Sequence, residues 1–261
     1  AKATWAEPPV AETPKEVFTQ AIQDRIENGD KLNIIQLRKT ANDVGYKFTS
    51  DTELQEHTEV AIINIAKGIT QENISQQEKF DKIVSLYESQ PTMSMRSADR
   101  IENQQYSTPI PMSFVAGEFV NEITPKTILE PSAGNGMMVF NTNHSNVIAN
   151  EKDKVRLSNL QNKGFKLVTN HDALLPFNIG KVDAVVMKPP FGKAEQKLYG
   201  DAYKVSGLDP QMVINALDSM KDDGRASIVI GGHNEYESNG ALKKDKAFLN
   251  YLYNYYNVSD I

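Results

Sequence analysis

The sequence predicts a helical N-terminal domain over residues 1–95, followed by a doubly wound, mostly parallel α/β sheet over residues 96–261. Three observations carry that prediction. Capping boxes precede apolar residues at four-residue spacing in the first part. From about residue 110, short β-rich runs alternate with helical ones, which implies βαβ units and a sheet covered on both faces. Three successive runs then end in polar groups, as at the ligand edge of such a sheet.

In the first part, Thr13 to Glu16 (TPKE) is a capping box with proline at the first helical position, and Phe18, Ile22 and Ile26 follow. Asn28-Gly29 ends that helix. Ile34, Leu37, Ala41 and Val44 predict a second helix closed by Gly45. Ser50 to Glu53 (SDTE) opens a third, carrying Ala61, Ile62, Ile65 and Ala66 up to Gly68. Ser75 to Glu78 (SQQE) opens a fourth, with Phe80, Ile83, Val84 and Tyr87 before Pro91. This domain reads as a bundle that packs or binds; a DNA-contacting bundle is the alternative, and no chemistry is legible in it.

Residues 91–109 read as a junction. Met112, Val115, Phe119 and Ile123 mark a helix, and strands are predicted over Thr127–Glu130, Val147–Asn150, Phe165–Thr169, Val182–Met187 and Ala226–Ile230. Helical stretches near 152–162 and 210–221 lie between some of them.

Composition narrows the function classes. The chain has 261 residues, 39% apolar and 24% charged, which is ordinary globular composition. No apolar run is long enough to span a membrane, and the N-terminus lacks a signal-like apolar core. With no cysteine, disulfides, thiolate catalysis and thiolate metal sites are excluded, and His57, His144, His171 and His233 show no metal-ligand spacing. A cytoplasmic location fits these features. Ten basic and fifteen acidic residues over 1–95 leave −5 there and −1 for the remainder of a net −6. Neither part is the basic body of a strong stand-alone nucleic-acid binder.

The first predicted strand runs into Glu130 to Gly136 (EPSAGNG), where Gly134 and Gly136 permit a tight turn and close approach of a ligand to the backbone. A plain strand–helix turn can use the same pattern. The second strand ends at Glu151, about twenty residues on, where an acidic side chain grips a ribose diol. The third ends in Thr169 to Asp172 (TNHD). A third glycine at the pyrophosphate offset is missing, which favours a nucleoside-like cofactor over a dinucleotide. The fourth strand delivers Lys188-Pro189-Pro190-Phe191-Gly192. Its prolines stiffen the turn and leave fixed carbonyl acceptors beside an aromatic ring, a setting suited to a planar amine such as a nucleobase.

The EPSAGNG turn, the Glu151 and Asp172 strand ends and the PPFG motif resemble the class I S-adenosylmethionine-dependent methyltransferases. More narrowly, they resemble the N6-adenine DNA methyltransferases whose fourth-strand motif reads (N/D)-P-P-(Y/F). Gln105 to Pro109 (QYSTP) is similar to that family's cofactor motif and here precedes the glycine motif, and residues 212–232 resemble versions fused to helicases in mobile-element proteins. The likeness covers about residues 99–261. It implies a Rossmann-like fold, S-adenosylmethionine as cofactor and DNA as partner.

Residue by residue, the resemblance places Tyr106, Thr108 and Pro109 at the methionine end of the cofactor. It places Glu130, Pro131, Ala133, Gly134, Asn135 and Gly136 in the loop beneath. Glu151 then holds the ribose, and Asp172, with Ala173 beside it, holds the adenine amino group. Pro189 and Pro190 present acceptors to the target amine, and Phe191 stacks on a base flipped from the duplex.

Lys188 stands where that family has Asn, Asp or Ser. An ammonium has three donors and no acceptor, and methyl transfer builds positive charge on the attacking nitrogen. The expectation is therefore a retained cofactor site with weak or absent transfer. The sequence also stops at Asn257 to Ile261, where a sixth strand of such a sheet would begin, so the chain reads as a piece of a longer polypeptide with weak DNA affinity of its own. Alternatives are an amine methyltransferase acting on RNA guanine or protein glutamine, and a non-catalytic DNA- or partner-binding domain of a helicase-type protein. Met137-Met138 are expected under the loop, the tyrosines at 251, 253, 255 and 256 split between core and surface, and Lys243 to Lys246 at a solvated helix start. His233 and Asn234 lie near the substrate face.

Overall fold

A computed structural model describes residues 12–91, 108–231, 238 and 245–259. Four helices open the chain: α1 (Pro14–Glu27), α2 (Ile34–Asp43), α3 (Asp51–Gln71) and α4 (Gln76–Ser89). Thr13 and Ser75 form complete capping boxes with Glu16 and Glu78, and Asn33 forms a further one with Gln36. At Ser50 only half the box exists. Its hydroxyl accepts from the Glu53 N–H, but the Glu53 carboxylate turns to Thr49 and Tyr46 instead. Gly68 does not end α3. The helix runs past it to Gln71, because the position faces open space and no left-handed backbone intervenes.

The core of these helices, built on Phe18, Ile22, Leu54, Ile62 and Ile83, continues without a break into Ile110, Phe114, Met137 and Phe140 of the following part. That part contains α5 (Ile110–Asn121), β1 (Ile128–Glu130), β2 (Val147–Asn150), α6 (Lys154–Leu160), β3 (Leu167–Thr169) and β4 (Val182–Met187). A hairpin of β5 (Lys197–Tyr199) and β6 (Tyr203–Val205) follows, then α7 (Leu208–Leu217), β7 (Met220–Ile228) and α8 (Lys246–Tyr255). Two short 3-10 turns, Met137–Val139 and His144–Asn146, join β1 to β2.

The main sheet has the order β3-β2-β1-β4-β7, with every neighbouring pair parallel. The order reverses direction between β1 and β4, which makes a Rossmann-like doubly wound fold with its ligand crevice beyond that point. Alternate strand residues face opposite layers. Ile128, Val147, Ala149, Ala184 and Val186 pack with α5 and α6, while Leu129, Ile148, Val185 and Met187 pack with α7 and α8.

One expectation fails at the last strand. Residues 220–221 were expected in a helix and the strand only from Ala226, yet β7 begins at Met220. A register shift between Val182 and Ala184 absorbs the polar segment, and Gly224 has no room for a side chain, since a Cβ would sit 2.9 Å from the Asp183 carbonyl. The β5–β6 hairpin is not foreshadowed by the sequence reading. On α8, Tyr251 is buried and Tyr253 and Tyr255 are exposed. No helix among the described residues is long and apolar enough to cross a membrane.

Candidate functional site

A cavity of about 880 Å³ opens at the carboxyl ends of β1 to β4. Its floor is the turn after β1. Gly134 takes φ +56°, open to glycine at little cost, and its N–H donates to Glu151 Oε2 at 2.7 Å. Glu151 Oε1 accepts from the Asp153 N–H at 2.7 Å. Burial raises the Glu151 pKa, and the Asp153 N–H and the Arg156 charge oppose that rise. Asp172, after β3, accepts from Lys152 Nζ at 2.9 Å and from the Leu174 N–H at 3.1 Å. The Lys152 bond leads in holding its carboxyl below the usual range.

Asn150 braces this edge. Its amide donates to the carbonyls of Pro131 at 2.9 Å and His171 at 3.0 Å, and its Oδ1 accepts from the Thr169 hydroxyl and the His171 N–H. Three strand ends are thereby tied through one side chain. On the far wall, Lys188 Nζ lies 5.5 Å from the Phe191 ring centroid, within cation–π range. Burial lowers the Lys188 pKa first, Arg156 lowers it further, and Glu59 opposes both.

Of the expected site residues, Thr108, Pro131, Ala133, Gly134, Glu151, Asp172, Ala173, Lys188, Pro190 and Phe191 line this cavity. Others sit behind it. Glu130 is fully buried, accepts from the Ser132 N–H at 2.9 Å, and has its pKa pushed up to about 8, chiefly by burial. The Asn135 side chain turns away, donating to Glu56 and accepting from Asn159. Gly136 packs on Leu160 and Phe165, Pro109 precedes α5 as its cap, and Pro189 is buried. Met137 and Met138 are buried and also border the cavity. Tyr106, His233, Asn234, Lys243 and Lys244 lie outside the described residues.

Some wall residues were not named by the sequence reading, among them two charged ones drawn from helices. Glu59 comes from α3 and Arg156 from α6, and both line the cavity. Among the described residues, no cluster of three or more histidines and carboxylates could hold a metal ion.

No family model matches the sequence. The chain is 25% identical over 174 residues to triosephosphate isomerase of Saccharolobus solfataricus, a stretch covering 65% of this chain and 69% of that enzyme. The sheet described above is open, with β3 and β7 as edges, and is not the closed eight-stranded barrel named after that enzyme. A solved structure from Listeria monocytogenes, whose description proposes a class I S-adenosylmethionine-dependent methyltransferase, aligns with a TM-score of 0.46 and 13% identity over 82% of this chain and 73% of that one. Neither likeness assigns a family, and the chemistry of the cavity stands on its own residues.

Proposed function

We propose that the chain is an S-adenosylmethionine-dependent methyltransferase module directed at the N6 amine of adenine in DNA, and that Lys188 keeps its transfer rate low. The observation that carries this reading is the convergence on one cavity of Gly134, Glu151 and Asp172 from three adjacent strand ends and of Lys188, Pro190 and Phe191 from a fourth.

The donor set fits a nucleoside. Each Glu151 oxygen has accepted one N–H and retains a lone pair for a ribose hydroxyl. Asp172, held by Lys152 and the Leu174 N–H, stays an ionised acceptor for an exocyclic amine. No α-helix opens from the Gly134 turn, so it lacks the helix N-terminus that favours a pyrophosphate. Bound there, S-adenosylmethionine would supply an electrophilic methyl group.

What the chain contributes to transfer is orientation and charge. Phe191 offers a face on which a flipped base can stack. Lys188 offers a donor where the attacking amine needs an acceptor, and its charge opposes the positive charge that builds on that nitrogen. Losing one such stabilising contact slows a reaction roughly 100- to 1000-fold.

The test is transfer of labelled methyl to adenine-containing DNA by this chain and by Lys188→Asn, alongside calorimetric titration of S-adenosylmethionine into both and into Glu151→Ala. We expect binding that weakens sharply in Glu151→Ala and at least tenfold faster transfer in Lys188→Asn. Binding without any gain in transfer would remove Lys188 as the cause. No binding at all would remove the cofactor site. RNA and glutamine peptides in the same assay separate the other amine substrates.

A further inference from the structure

The seam between the N-terminal helices and the α6–β3 side carries a cluster of cations that the cavity chemistry does not use. Lys15 of α1, Lys67 of α3 and Lys163 after α6 are all half-buried there. Among the described residues, none of the three forms an ion pair. Their contacts are neutral: Lys15 Nζ to Ser158 Oγ at 3.4 Å, and Lys163 Nζ to Asn64 Oδ1 at 3.4 Å.

Lys67 is worse placed. Its Nζ lies 3.3 Å from His144 Nδ1, but that same nitrogen lies 2.9 Å from the Lys163 carbonyl. A ring nitrogen has one in-plane site. If it donates to the carbonyl, it has no lone pair left for the ammonium. The nearby carboxylates are turned to other partners, Glu16 to Thr13 and Glu53 to Thr49 and Tyr46, and act on the lysines only through space. Burial lowers the pKa of each lysine and Lys67 and Lys15 lower that of Lys163 further, while Glu16 opposes the fall in Lys15 and Lys163 and Glu53 opposes it in Lys15. Three chain segments thus bring like charges together with no direct ion pair, offset only through space by Glu16 and Glu53, a setting that a bound anion would stabilise.

We propose that this seam is a phosphate-binding site, with Lys15, Lys67 and Lys163 as its cations and the Asn64 amide as a neutral donor beside them. Lysine is a common point-charge ligand for phosphate. The phosphate can be free or part of a nucleic-acid backbone. The second source deepens the DNA reading above and rests on it; the first does not.

The experiment uses the full chain, the triple variant Lys15→Gln/Lys67→Gln/Lys163→Gln, and a control with Lys31, Lys39 and Lys126 changed to Gln on exposed surface. Melting is followed in inorganic phosphate against chloride at equal ionic strength, and a labelled DNA duplex is titrated at several salt concentrations. We expect phosphate to raise the melting midpoint of the chain and the control but not of the triple variant. Without phosphate the triple variant should melt no lower, because repulsion has been relieved. If backbone phosphates are the ligand, its slope of log affinity against log salt falls by about 2 to 3. An unchanged slope with a lost phosphate response identifies free phosphate. Should the triple variant fail to fold, Lys67→Gln alone must show a partial loss of the phosphate response. Identical responses to phosphate and to DNA in the chain and the variants would overturn the site.

Discussion

The Glu56 carboxylate of α3 and the Arg156 guanidinium of α6 meet in a two-point ion pair across 100 positions of sequence, Nε to Oε2 at 2.9 Å and Nη2 to Oε1 at 3.2 Å. Both side chains are nearly closed to solvent, at 3% and 10% exposure. Asn135 also donates to Glu56, so the glycine turn, α3 and α6 share one polar knot. Burial by itself would lower the Arg156 pKa, and the charges of Glu56 and Glu59 more than reverse that effect. The helical part therefore builds one wall of the cavity rather than standing apart from it.

Removing one partner of this pair should be severe. Glu56→Ala leaves a buried guanidinium without its carboxylate, a change that costs about 3–5 kcal/mol. Replacing both, as in Glu56→Leu/Arg156→Met, should recover most of that loss, because two desolvated charges disappear together. Urea unfolding midpoints of the single and double variants decide it. Equal losses in both would show that the knot acts through Asn135 and not through the ion pair.

The same knot shows where sequence reading stops. β2 and β4 lie where they were expected because both faces are covered, and near-continuous apolar runs such as Val182–Met187 have few alternatives. Glu151 was legible because it directly follows β2, and Asp172 because it lies three residues beyond β3. Asp222 to Gly224 carry no strand signal, being polar residues followed by glycine, yet an edge strand with a register shift accommodates them. The β5–β6 hairpin is two three-residue strands around Gly200, which adopts φ +54°. That pattern is too short to stand out. Glu56 and Glu59 resemble the solvated face of a helix, and only tertiary packing buries every residue from Leu54 to Ile63.

Stability should depend on pH through two buried groups of opposite sense. The Glu130 carboxyl titrates at about 8, so between ~4.3 and about 8 the native state holds a proton that the unfolded chain has released. Stability then falls as pH rises, by up to about 1.4 kcal/mol per pH unit. His57 is pushed down to about 4, chiefly by burial and then by Lys15. Between about 4 and ~6.5 the unfolded chain binds a proton that the native imidazole refuses, so stability rises with pH. The two slopes offset each other up to ~6.5, and the Glu130 slope continues from there to about 8. Urea midpoints measured against pH should show a plateau followed by a decline. Glu130→Gln should abolish the decline, and His57→Gln should turn the plateau into a continuous fall. A decline that survives in Glu130→Gln would place the responsible proton elsewhere.

Gly231 and Phe191 make the most direct link between backbone and proposed base stacking. A Cβ at Gly231 would lie 2.9 Å from Phe191 Cζ, closer than such atoms approach, and a tight 3.2 Å from Cε1. The ring tip is the far end of a side chain and can swing, so Gly231→Ala should cost less than about 1 kcal/mol of stability. It should nevertheless move the ring off the cavity wall. Stacking of one base is worth about 1–3 kcal/mol, so affinity for an adenine-containing oligonucleotide should fall about 5- to 150-fold in Phe191→Ala and nearly as far in Gly231→Ala. Because both changes act on one ring, the double variant should bind no more weakly than Phe191→Ala alone. Additive losses would instead mean that residue 231 contacts the nucleic acid itself and that the ring stays where it is.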